Sequence, residues 1–198
     1  MLGYSLDSEA YFDRLRDELA RINHAQLRQL ADLIYAAWDE GRFVFFFGNG
    51  GSAAAASHLA EDLGKNCIPQ TGRPRRLKVM SLTDNAPWIT ALGNDLGYDR
   101  IFVEQLAQYG SPGDVAVAIS GSGNSPNVLA AVQWANENGL LTVGVTGYDG
   151  GKLKAMARYS LHVPLDDMAM VESIHLCLAH WLVDDLYARI NCCGRYAE

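Results

Sequence analysis

Two short loops of glycine and hydroxyl residues, each leaving a wholly apolar run and entering a helix-like one, constrain this chain more than any other feature. The first is Phe43-Val44-Phe45-Phe46-Phe47 followed by Gly48-Asn49-Gly50-Gly51-Ser52. The second is Val115-Ala116-Val117-Ala118-Ile119 followed by Ser120-Gly121-Ser122-Gly123-Asn124-Ser125. Strands that are apolar throughout belong in a parallel sheet covered on both faces by helices. A buried strand that ends in glycines and then starts a helix gathers backbone N–H groups, hydroxyls and the positive end of a helix dipole around one point. That point suits a phosphate. Two such units imply a crevice at the carboxyl edge of the sheet, holding a phosphorylated small molecule.

Further apolar runs read as strands at 77–82, 141–145 and 159–163. Helix-like stretches begin near Ser52, Asn85, Asp99, Pro126 and Gly151, and a long helix runs from Val171 to Ile190. Ahead of the first strand, Leu15, Leu19, Ile22, Leu27, Leu30, Ile34 and Trp38 recur at helical spacing between Asp7 and Glu40. Asn23-His24 divides this stretch into two helices, and Gly41 is its natural stop. The expected fold class is α/β, a three-layer α-β-α sandwich around a central parallel five-stranded sheet, flavodoxin-like or Rossmann-like. Residues 1–198 form one domain in this reading, with residues 1–40 as a helical N-terminal extension.

Composition narrows the function. The 198 residues are 49% apolar and carry a formal charge of −7, which argues against a general nucleic-acid binder. The local basic run Arg73, Arg75, Arg76 and Lys78 reads as a solvated approach to a strand. No apolar run approaches the ~20 residues needed to span a membrane, and the N-terminus lacks a signal-peptide pattern. The expectation is a cytoplasmic protein with no nucleic-acid or membrane partner. Cys67, Cys177, Cys192 and Cys193 show neither C-x-x-C spacing nor a regular framework, which favours reduced thiols.

In the second loop, Ser125 is placed as an N-cap and Pro126 as the first helical residue. Ser120, Ser122 and Ser125 either aim hydroxyls at one anion or merely turn the chain. The first loop also satisfies a dinucleotide fingerprint, Gly48-x-Gly50-x-x-Ala53, with Asp84 as a ribose-binding acid. A long helical segment precedes that motif, however, and the second loop is then left without a use. Among titratable residues, His58 and Asp62 stand four apart on one helix face, and Glu172, His175 and His180 lie in the last helix. An i, i+4 His and carboxylate pair can hold a divalent metal, serve as an acid/base couple, or form a plain surface hydrogen bond.

Taken together, Gly48-Asn49-Gly50-Gly51-Ser52, His58-x-x-x-Asp62, Gly93-Asn94-Asp95, the Ser120 to Ser125 loop, Thr146 to Gly151 and Glu172 to His180 resemble the sugar isomerase (SIS) domain family. Within that family the chain is most similar to the phosphoheptose isomerases, which interconvert sedoheptulose 7-phosphate and D-glycero-D-manno-heptose 7-phosphate. The resemblance covers nearly the whole chain. It implies substrate contacts at Asn49, Gly50, Gly51, Ser52, Asn94, Asp95, Ser120, Gly121, Ser122, Ser125 and Glu172. It implies zinc, one ion per subunit, at His58, Asp62, Glu172 and His180, with proton transfer by Asp62 and His180. It further implies a homotetramer with active sites between subunits. His162 and His175 receive no role and are expected to be structural.

The chain departs from the family pattern in having Asp62 where Glu is typical, Glu172 in place of Gln, and Gly121 in place of Thr. In a regular helix, Glu172 and His180 lie ~12 Å apart along the axis, too far to grip one ion easily from one chain. Either Glu172 precedes the helix or the two ligands come from different subunits. Two other readings stand beside the isomerase: a non-catalytic sugar-phosphate-binding regulator or adaptor, and an isomerase of another phosphosugar.

Overall fold

A computed structural model describes residues 5–70, 72 and 75–197. Arg73 of the basic run and the ends of the expected domain, residues 1–4 and 198, lie outside the described residues. The chain opens with α1 (Ser8–Leu19) and α2 (His24–Glu40). Asn23 separates them by accepting hydrogen bonds at its Oδ1 from the Ala25 and Gln26 amides, at 3.0 and 3.2 Å. Gly41 ends α2 in the left-handed region, at φ 71°. There follow β1 (Phe43–Gly48), α3 (Gly51–Asn66), β2 (Lys78–Ser81), α4 (Ala86–Asp95), α5 (Val103–Tyr109), β3 (Val115–Ser120), α6 (Pro126–Glu137), β4 (Leu141–Thr146), α7 (Gly151–Met156), β5 (Tyr159–His162) and α8 (Met168–Asn191).

The five strands pair in parallel in the order β2-β1-β3-β4-β5. Alternate side chains of the central strands feed two cores. Val44, Phe46, Val115 and Val117 pack with α2, α3 and α8 on one face. Phe45, Phe47, Ala116 and Ala118 pack with α5, α6 and α7 on the other. All these strand residues are buried, which explains their unbroken apolar runs. The three-layer sandwich is therefore as expected. α1 is more loosely held, with every side chain keeping some exposure. Its Arg14 guanidinium reaches buried Asp167, before α8, at 2.9 Å.

Two local expectations are corrected. The helix expected near Asp99 is a short 3-10 turn, Tyr98–Arg100, and the α-helix starts only at Val103. Gly97, at φ 100°, breaks continuity with α4. Ser125 does occupy the N-cap position of α6, but its hydroxyl makes no capping bond and instead meets the Ser120 hydroxyl at 3.3 Å. Arg75, Arg76 and Lys78 are exposed, consistent with a solvated approach to β2. All four cysteines are free thiols. Burial pushes the Cys67 thiol up to about 12. No described helix is long and apolar enough to cross a membrane.

Candidate functional site

The sheet order reverses between β1 and β3, so the helices that follow these neighbouring strands lie on opposite faces. A crevice opens at such a switch point, outside the carboxyl ends of the strands. Both Gly/Ser loops leave from it. The dinucleotide rival's acid, Asp84, follows edge strand β2 instead and accepts a hydrogen bond from the Ser57 hydroxyl.

The first loop turns at Gly50, whose φ of 56° and ψ of −122° suit only glycine. Asn49 does not hang free: its carboxamide pairs reciprocally with Asn127 at 2.9 Å in each direction. Glu172 stands over the N-terminus of α3. A Cβ on Gly51 would lie 2.5 Å from both Glu172 carboxylate oxygens. The positive end of α3 favours a negative charge there. Gly51, Ser52, His58, Glu172 and Tyr11 of α1 line a cavity of about 370 Å³.

In the second loop Ser120 is buried, and Ser122 Oγ accepts from the Asn124 amide at 3.3 Å. The Gly121 carbonyl accepts from the Gly147 amide at 2.8 Å, tying the loop to the end of β4. The space that a side chain at 121 would need is taken by the Met168 thioether. Packing from α8 thus closes that space. Asn94 and Asp95 are exposed at the end of α4 and bond to each other at 2.8 Å.

The histidine and carboxylate set divides. His58 Nε2 lies 3.1 Å from Asp62 Oδ2 across one turn of α3. His180 of α8 meets the His58 ring edge-on, with centroids 5.1 Å apart. One ligand atom from each of His58, Asp62 and His180 lies within 4.8 Å of the others. Two imidazoles and one carboxylate make a donor set suited to zinc. Asp62 Oδ1 is oriented by Asn66 Nδ2 at 3.1 Å, the kind of outer-shell contact that fixes a metal-binding carboxylate. Glu172 is not part of this group. Both Glu172 and His180 lie inside α8, so the option that Glu172 precedes the helix is removed.

His175 and His162 both serve the end of β4. His175 Nε2 donates to the Thr146 carbonyl at 3.2 Å, and His162 Nδ1 bonds the Thr146 hydroxyl at 3.0 Å. Burial pushes the His175 imidazole down to about 4 from an ordinary 6.5. The unfolded chain therefore holds the extra proton between those values, and stability falls as pH drops through that window. By pH 5 the loss is about 2 kcal/mol. Urea midpoints at pH 7 and pH 5 should separate accordingly, and His175→Gln should shrink the separation. An unchanged separation would place the acid sensitivity elsewhere.

Sequence reasoning passed over Asn127, Tyr98 and Met168. Asn127, directly after Pro126 in the first turn of a helix, was a signal that could have been used. Tyr98 and Met168 reach the loops through tertiary contact alone.

A family model described as SIS domain matches residues 10–147. The phosphoheptose isomerase of Chlorobium phaeobacteroides is 39% identical over 180 residues, spanning 90% of this chain and 79% of that protein. That of Rhodospirillum rubrum is 40% identical over 156 residues, spanning 79% and 81%. Among solved structures, the phosphoheptose isomerase of Neisseria gonorrhoeae superposes with a TM-score of 0.80 at 35% identity, over 87% of this chain and 91% of that one. The phosphoheptose isomerase of Francisella tularensis gives 0.82 at 30% identity, over 90% and 95%.

Proposed function

The chain belongs to the SIS domain family and, within it, to the phosphoheptose isomerases, and from that premise we propose that it interconverts sedoheptulose 7-phosphate and D-glycero-D-manno-heptose 7-phosphate through an enediol. It is an aldose-ketose isomerase acting on a heptose phosphate. The observation that carries the mechanism is the convergence of His58, Asp62 and His180, with His58 lining the same cavity as the first loop.

In this mechanism the second loop holds the phosphate through Ser120, Gly121, Ser122 and Ser125. Asn49, Gly50, Gly51 and Ser52 border the reacting end, and Asn94 and Asp95 orient sugar hydroxyls. One member of the Asp62/His180 pair takes the proton from the carbon beside the carbonyl, and the other returns it to the neighbouring carbon. His58, Asp62 and His180 would hold a zinc ion, with Glu172 as a further ligand from another subunit. Such an ion polarises carbonyl and hydroxyl oxygens and stabilises developing negative charge. The separation of Glu172 from the trio along α8 supports an assembly in which neighbouring subunits complete each site, and a homotetramer is the state proposed. The unit is one SIS domain, 1–198, with 1–40 as its helical extension. The cysteine pattern supports a cytoplasmic setting.

The test is turnover of sedoheptulose 7-phosphate followed by NMR of the sugar, with added zinc and with chelator. The expected result is formation of the aldoheptose phosphate, lost on chelation and restored by zinc. Binding without conversion in either condition would favour the non-catalytic reading, and conversion only of a different phosphosugar would reassign the substrate.

A further inference from the structure

The Asn49 carboxamide sits in a hydrogen-bond arrangement that leaves it one orientation. The Val128 amide N–H donates to Asn127 Oδ1 at 2.9 Å, which fixes which end of the Asn127 amide is oxygen. Asn127 Nδ2 then donates to Asn49 Oδ1, and Asn49 Nδ2 donates back to Asn127 Oδ1, both at 2.9 Å. The Tyr98 hydroxyl donates to the same Asn49 Oδ1 at 3.1 Å. Both lone pairs of Asn49 Oδ1 are thereby used, and one of its two N–H groups is engaged. The second N–H has no protein partner among the described residues. It is a single donor of defined direction at the mouth of the crevice.

The three residues come from three separate places. Asn49 lies in the first loop, and Asn127 is buried in the first turn of α6, directly beyond the second loop. Tyr98 is 61% exposed and follows the segment that ends in Asn94 and Asp95. A tyrosine ring this exposed contributes little burial energy, whereas its hydroxyl reaches into the loop.

We propose that Asn127 and Tyr98 are positioning residues that clasp Asn49, holding its free N–H toward an acceptor oxygen of the sugar phosphate. The inference rests on the reading that Asn49 contacts substrate. The Asn49–Asn127 pair also sets the width of the crevice by tying one loop to the helix that follows the other. Tyr98 links that pair to the Asn94–Asp95 segment, so the two sets of sugar contacts move together.

The test is a cycle of Tyr98→Phe, Asn49→Ala and the double variant, assayed on sedoheptulose 7-phosphate. Tyr98→Phe should raise KM about three- to tenfold, leave kcat within about twofold, and leave the thermal midpoint unchanged. In the Asn49→Ala background the Tyr98 substitution should add nothing. An equal rise in both backgrounds, or no rise at all, would overturn the proposal. Asn127→Asp removes the donor that fixes Asn49 and should raise KM at least as much. Asn49 side-chain amide exchange, followed by NMR without any substrate, gives a second readout. For the Nδ2 hydrogen bonded to Asn127 it should be slow in the wild-type chain and faster in Tyr98→Phe, and equal rates would also overturn the clasp. If the wild-type chain fails to turn over the sugar, the substrate assignment fails, while amide exchange still decides the clasp.

Discussion

Replacing His180 by alanine should lower kcat for the heptose phosphate by about 10² to 10⁴-fold, the usual worth of a positioned acid/base group, while the chain stays folded. The side chain is exposed on α8, and substitutions at exposed positions without special partners rarely shift stability by more than about 0.5 kcal/mol. Its contacts are an edge-on meeting with His58 and a place in the proposed ligand trio. His162→Ala is the matched control, because the His162 ring bonds the Thr146 hydroxyl and its backbone amide donates to Gln26 Oε1, both away from the ligand trio. Turnover should survive that change. Steady-state kinetics beside a thermal melt separate the outcomes, and near-normal turnover in His180→Ala would remove it from the mechanism.

The second large effect is expected at Gly123. Its φ is 66°, and a Cβ there would collide with the Gly150 carbonyl oxygen. Backbone cannot give way as a flexible side chain can. The collision would push on the N-terminus of α7, which is tied back to the loop by the Leu153 amide donating to the Gly123 carbonyl at 2.9 Å. Gly123→Ala should therefore destabilise the fold by about 2 kcal/mol or more. It should also raise KM by more than about tenfold, since the serine loop can no longer keep its shape. A chemical melt and substrate kinetics read the two effects separately. Wild-type values for both would mean that the loop relaxes around the new methyl group.

Much of the architecture was legible because its causes are local. Phe43–Phe47 and Val115–Ile119 announce buried strands by composition alone, and Asn23 and Gly41 mark helix ends by their own backbone chemistry. The resemblance added the SIS assignment and named His58, Asp62, Glu172 and His180 as a set, of which the structure brings His58, Asp62 and His180 together. What stayed hidden depends on tertiary contact. No periodicity says that Glu172 stands over Gly51, that Met168 fills the space above Gly121, or that Tyr98 reaches Asn49. The break at Gly97 was missed for a different reason. Asp99 lies within a plausible helical run, and the glycine's positive φ is a property of the folded backbone.

The strand order also bears on the time course of folding. β1 is made first among the strands yet lies in the interior of the sheet, between β2 and β3. Its pairing partner on the β3 side, Val115 opposite Val44, is far away along the chain. Contacts of such sequence separation form slowly, because the chain closes a long loop before any pairing rewards it. During synthesis Phe43–Gly48 therefore emerges with one sheet edge unsatisfied and waits for residues 115–120. The crevice between the two loops does not exist as a shape until that seam closes. For this interval the five-residue apolar stretch that later anchors the first loop is exposed to pairing with other chains.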